Sequence, residues 1–143
     1  MEFEGGSVKP ILTSEQHDSY KRDGFLVLEN FFDPSELEIL YADFNDVVGN
    51  WANIYYKGDY TISHNHQDFT MGFSFAYFLK SEWYHPPFVF TNSGKKIKSK
   101  EGTYVIFPNH VNHHVPKNRF KETRITLSGN ILTTFEEGMI KQP

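Results

Sequence analysis

The chain contains no cysteine. That absence removes disulfide staples, thiolate nucleophiles, iron–sulfur clusters and cysteine-bound zinc together, so any metal must be held by histidine nitrogen and side-chain oxygen. Long apolar runs are missing as well. No stretch approaches the roughly 20 residues of a membrane helix, and MEFEGGSVKP has neither the basic nor the apolar region of a secretory signal. These absences predict a soluble, cytoplasmic chain without a membrane partner. Nor is there an excess of positive charge: 14 Lys and Arg stand against 18 Asp and Glu, for a formal net charge of −4. Nucleic acid is therefore not expected as a ligand.

What the chain has in plenty is aromatic residues, 14 Phe and 8 Tyr among 143 residues, a composition that leans towards β structure. That length suits one core rather than two, so the expectation is a single domain over 1–143, with a helical part at 13–49 and a barrel core at 50–136. Thr13 and Gln16 have the spacing of a capping box, and Gly24 can end the helix they begin. After the apolar run Phe25 to Leu28, Asp33, Pro34 and Glu36 supply an N-cap, a first-turn proline and a reciprocal cap. The apolar residues Leu37, Leu40, Tyr41, Phe44 and Val48 then recur at helical spacing up to Gly49, which predicts a second helix lying against a sheet.

Beyond Gly49 the pattern changes to short strands: Trp51 to Lys57, Tyr60 to His66, Gly72 to Lys80, Phe88 to Phe90, Thr103 to Phe107 and Thr123 to Leu132, separated by Gly, Pro, Asn and Asp. Strands preceded by helices rather than interleaved with them favour an antiparallel jelly roll over a parallel sheet. The lysines of KKIKSK, Lys95 to Lys100, read as the solvated edge or tip of a hairpin.

The chemistry concentrates in two places. Five of the seven histidines fall in two short clusters, His64 and His66 in HNHQD, and His110, His113 and His114 in NHVNHH. A single histidine near a strand end needs no explanation beyond exposure or a carbonyl partner; two clusters in so short a chain ask for a common purpose. Alternate side chains of a strand share a face, so His64, His66 and Asp68 project together, and two neighbours among them could chelate one ion. A third histidine from the second cluster would complete a three-ligand face with open positions, a geometry suited to non-haem iron, whereas structural zinc usually wants four closed ligands.

The second place is the last strand. In TRITLSGNI, Arg124, Thr126, Ser128 and Asn130 share one face, while Ile125, Leu127 and Ile131 share the other. An ordinary solvent-facing strand alternates in the same way. Here, however, a guanidinium eleven residues beyond His113 can present a bidentate fork to a carboxylate held near the metal, with the Thr126 hydroxyl on the same face. Asn53 and Tyr55 on the preceding strand, and Tyr77 on the aromatic strand Phe73, Phe75, Tyr77, are further candidates to line that pocket.

Taken together these segments resemble the iron(II)/2-oxoglutarate-dependent oxygenase superfamily, in particular its small prolyl-hydroxylase-like members, including phage-type ones. YKRDGFLVLENFFDPSEL resembles the helix, strand and second helix at the N-terminus of such enzymes. WANIYYKGDYTISHNH resembles the strand reaching the first metal ligands, EGTYVIFPNHVNHHV the strand leading to the distal histidine, and ETRITLSGN the strand carrying the oxoglutarate arginine. The resemblance implies a mainly β, cupin-like double-stranded β-helix with two N-terminal helices packed on the sheet. It implies a hydroxylase using Fe(II), molecular oxygen and 2-oxoglutarate as cosubstrate, with a prolyl or other peptidyl side chain or a small molecule as substrate. His64, His66 and His113 are the implied ligands, and Arg124 with Thr126 the implied carboxylate anchors. The middle ligand has two fits, His64 with His66 or His66 with Asp68, and His110 and His114 are alternatives to His113.

Two other readings explain fewer of these features. A cupin-like three-histidine enzyme without 2-oxoglutarate has no special need for Arg124, and a non-catalytic jelly-roll binding module has no need for the metal.

Overall fold

The computed structural model describes residues 12–33, 35–36, 50–66 and 72–132. The first helix, α1 (Ser14–Asp23), is bounded as its sequence dictates. Thr13 and Gln16 exchange the two bonds of a capping box, and Gly24, at φ 77°, closes the helix in the left-handed conformation that glycine adopts most readily. At the predicted start of the second helix, Ser35 and Glu36 donate their backbone N–H groups to Asp33 Oδ1, and Asp33 N–H donates to Glu36 Oε2 at 2.9 Å. The capping signal is thus in place, while the body of that predicted helix, 37–49, lies outside the described residues. Among the described residues α1 is the one full helix.

Nine strands follow in chain order: β1 (Leu26–Leu28), β2 (Asn50–Tyr55), β3 (Thr61–His64), β4 (Gly72–Lys80), β5 (Phe88–Phe90), β6 (Lys95–Ile97), β7 (Tyr104–Pro108), β8 (His113–Val115) and β9 (Arg124–Leu132). They form a five-stranded sheet, β1-β7-β4-β9-β2, facing a four-stranded one, β3-β8-β5-β6, with every pairing antiparallel. From β2 onward the chain passes between the two sheets at each connection except the β5–β6 hairpin, which gives the expected jelly roll. The core fills the space between them with Tyr55, Phe78, Phe88, Phe90, Val105 and Phe107. No helix among the described residues is long and apolar enough to cross a membrane.

Two local outcomes differ from expectation. The second histidine cluster does not extend the strand before it: β7 ends at Pro108, which lacks an N–H to continue the ladder, and a turn closed by Val111 N–H to Pro108 O carries the chain across to the opposite sheet. His113 therefore opens a separate strand, β8, paired beside β3. The first cluster is also shorter in strand than expected, since β3 stops at His64 and His66 lies just past its end. The lysine-rich segment behaves as expected, with Lys95 and Lys96 on β6 at the outer edge of the smaller sheet.

Candidate metal centre and carboxylate pocket

β3 and β8 are antiparallel neighbours whose register sets His64 directly opposite His113. That pairing brings two residues almost fifty positions apart into adjacent places on the inner sheet face. His66 completes the group, held by its backbone N–H donating to Asn109 O at 2.8 Å. One nitrogen from each of the three imidazoles lies within 4.8 Å of the others. The ring centroids are 4.3 Å apart for His64 and His113, 5.1 Å for His64 and His66, and 5.3 Å for His66 and His113.

The protonation state suits a cation. His64 Nδ1 lies 2.9 Å from Ile62 O, and His113 Nδ1 lies 3.0 Å from Val111 O. A carbonyl only accepts, so each Nδ1 carries the hydrogen and each Nε2 keeps a free lone pair, the state that a metal requires. Burial against Phe88 and Phe107 pushes His113 down to about 4, so it stays neutral at physiological pH. Burial, and then the neighbouring His64, lower His66 in the same direction.

A cavity of about 470 Å³, including its open mouth, runs inward from this cluster between the sheets. Asn53, Tyr55, Thr126 and Ser128 line it. Their placement follows from the β2–β9 ladder, which sets Asn53 opposite Thr126 and Tyr55 opposite Arg124. Asn53 Nδ2 donates to Ser128 Oγ at 3.1 Å, and the Tyr55 hydroxyl is bonded to Thr61 Oγ1 at 2.7 Å. Behind the lining residue Tyr55, Arg124 is fully buried, its guanidinium 4.9 Å from the Tyr55 ring centroid and 5.4 Å from that of Phe78. Among the described residues neither its three side-chain nitrogens nor Thr126 Oγ1 beside them has a hydrogen-bond partner of good geometry, and Tyr55 is the polar neighbour that favours its charged form. Burial holds Arg124 down to about 10, which leaves it a cation at neutral pH. A buried cation with unsatisfied donors is costly in isolation and calls for an anion.

The structure thus brings His64, His66, His113, Asn53, Tyr55 and Thr126 around one cavity, with Arg124 buried behind Tyr55. Three candidates fall elsewhere. Tyr77 does not reach the cavity: Ala76 next to it faces inward, whereas Tyr77 packs edge-on against Phe32, 5.3 Å between centroids, on the other side of β4. His114 also points away, its Nδ1 2.8 Å from Thr91 Oγ1 on the outer sheet face, and His110 is exposed in the turn after Pro108. The alternative middle ligand Asp68 lies outside the described residues. Sequence reasoning missed Trp51, which lines the cavity with its indole 5.6 Å from the His66 ring. Its spacing two and four residues before Asn53 and Tyr55 on one strand face was the available signal.

No family model matches the chain, and no curated protein matches it in sequence. Among solved structures it is similar to a prolyl-4-hydroxylase from Pseudomonas putida, with 15% identity, 80% of this chain and 90% of that one covered, and a TM-score of 0.58. It is similar too to an oxidoreductase of the 2OG-Fe(II) oxygenase family from Burkholderia pseudomallei, at 14% identity, 81% and 87% coverage and a TM-score of 0.60. A third is HygX from Streptomyces hygroscopicus, solved with nickel and 2-oxoglutarate bound, at 11% identity, 83% and 86% coverage and a TM-score of 0.61. At such identities the likeness is one of fold: the chain has the jelly roll seen in 2-oxoglutarate and iron(II) oxygenases, and a three-histidine cluster stands within it.

Proposed function

We propose that the protein is an Fe(II)- and 2-oxoglutarate-dependent dioxygenase that hydroxylates a C–H bond of its substrate. One observation carries the reading beyond a generic metal site: the buried guanidinium of Arg124 and the hydroxyl of Thr126, without partners of good geometry among the described residues, set in the same fold interior as three clustered imidazoles. A cupin-like enzyme without an acid cosubstrate leaves those donors without a purpose.

The residues fit the groups the reading requires. His64, His66 and His113 would hold the metal, the first two open to the cavity mouth and the third buried. Arg124 and Thr126 would grip the far carboxylate of 2-oxoglutarate, a charge-assisted contact in an environment that strengthens it. Asn53 and Tyr55 would shape the wall along which that acid lies. Iron(II) with 2-oxoglutarate supplies oxidative decarboxylation of the keto acid by molecular oxygen, coupled to hydroxylation of the substrate. The protein contributes orientation, imidazole nitrogen donors and a pocket walled by Phe88 and Phe107. Similarity of fold to a prolyl-4-hydroxylase makes a peptidyl, in the first instance prolyl, side chain the substrate to screen first.

The deciding experiment is an anaerobic titration with Fe(II) and then 2-oxoglutarate, following the visible charge-transfer absorption that arises when a keto acid chelates the iron. A band is expected. Iron binding without a band would favour the cupin-like reading, and no iron binding would leave the histidines structural. For the middle ligand, His66→Ala is expected to weaken Fe(II) binding by more than about 100-fold, leaving a measurable residual two-histidine site, and Asp68→Ala to keep wild-type affinity.

A further inference from the structure

The three imidazoles are not held alike. His64 is on a paired strand and its Nδ1 is tied to Ile62 O; His113 is on a paired strand and its Nδ1 is tied to Val111 O. These bonds leave each ring one orientation before any metal arrives. His66 differs on both counts. It lies beyond the end of β3, and no described residue forms a hydrogen bond to either of its ring nitrogens. Its ring faces the other two imidazoles and one flat wall, the indole of Trp51, at 5.6 Å between centroids and an interplanar angle of 48°.

Trp51 is well placed to be that wall. Its backbone is fixed in the β2–β9 ladder opposite Ser128, so the indole is carried by the larger sheet while the histidines are carried by the smaller one. Ligands that lack a fixing partner must lose side-chain freedom when the metal binds, and a rigid aromatic face removes part of that freedom in advance. We propose that Trp51 is a positioning residue of the metal centre, its indole setting the ring of His66 in place of the carbonyl bond that orients the other two ligands. The inference rests on the metal-site reading above and adds to it a residue outside the ligand set.

The test uses Co(II) as the probe, read by its visible d–d absorption in the full chain, so no substrate or turnover is required. Wild type, Trp51→Phe, Trp51→Ala, His66→Ala and the double variant Trp51→Ala with His66→Ala are titrated. Trp51→Ala is expected to weaken Co(II) binding about tenfold, the lower end of the range for groups that orient a metal ligand, and to move the spectrum towards that of His66→Ala. Trp51→Phe, which keeps a flat aromatic face, is expected to stay within about threefold of wild type. In the His66→Ala background Trp51→Ala is expected to have no further effect.

Wild-type affinity and spectrum in Trp51→Ala would overturn the proposal while leaving the metal site intact. So would a full loss that persists in the His66→Ala background, because Trp51 would then act through the fold rather than through His66. If the wild-type chain itself fails to bind Co(II), the metal reading fails and the positioning role fails with it.

Discussion

The two ends of the inner cavity are built on opposite principles. At the mouth, the N–H groups of His64 and His113 are already spent on backbone carbonyls and the lone pairs are left over; behind the wall at Tyr55, the donors of Arg124 have no acceptor of good geometry among the described residues. One end is short of a cation and the other short of an anion. Both arrangements cost stability, since buried groups are ordinarily paired, and on the proposed reading one ligand carries the complement of both deficits. A metal chelated by one end of a dicarboxylate, with its far carboxylate free, has that description.

The comparison breaks most easily at the histidine end. His64→Ala or His113→Ala is expected to weaken Fe(II) or Co(II) binding by more than about 100-fold, beyond what loss of an outer-shell partner costs, as measured by metal titration of the purified protein. Retention of wild-type affinity in either variant would remove that residue from the ligand set.

At the other end the expected outcome has two parts of opposite sign. Arg124→Met should weaken 2-oxoglutarate binding on the order of 100- to 1,000-fold with metal affinity unchanged, because the partner carboxylate loses a buried charged contact. The same change should stabilise the ligand-free protein by about 1–3 kcal/mol, since it replaces an uncompensated buried charge by an apolar side chain. Thermal melts with and without the acid check both parts. A lower melting temperature for ligand-free Arg124→Met would show that the guanidinium contributes to the fold itself.

The histidine end carries a pH signature of its own. In the metal-free protein His113 titrates at about 4 when folded, against an ordinary value of 6.5 when unfolded. Between those values the unfolded chain binds the extra proton, so stability is full above about pH 6.5 and falls as the pH drops towards 4. The loss is expected to reach about 2 kcal/mol for this mostly buried group, and His113→Phe should flatten it. Chemical denaturation across pH 4.5–7 is the measurement, and a slope unaltered by His113→Phe would assign the dependence to other groups.

Much of this site was legible before folding, and what was not has physical causes. Period-two alternation placed Arg124, Thr126 and Ser128 on one face because only one face of β9 is polar in that stretch; clustering singled out five histidines, and the family resemblance chose His64, His66 and His113 among them. Alternation could not place Tyr77. Phe73, Phe75 and Tyr77 alternate with Ser74, Ala76 and Phe78, and both sets find cover, the first under Tyr20, Phe32 and Tyr104 and the second in the inter-sheet core. A strand covered on both sides does not reveal which face meets the cavity. The crossover from β7 to β8 was similarly hidden, since three-residue strands carry almost no periodicity and only Pro108 hints at the break.

The smallest expected effect separates the two faces of the strand pair that carries the proposed ligands His64 and His113. On the inner face lie His64 and His113; on the outer face Thr91 links Ser63 Oγ, at 2.8 Å, to His114 Nδ1, also at 2.8 Å. This outer chain is partly exposed, so water can replace most of what a mutation removes. Thr91→Val is therefore expected to cost no more than about 1 kcal/mol, and His114→Ala a similar amount, with metal affinity within about twofold of wild type in each. Thermal melts and Co(II) titration check the pair. A large loss of metal in His114→Ala would mean that β8 presents the other histidine to the cavity, reversing the face assignment on which the distal ligand depends.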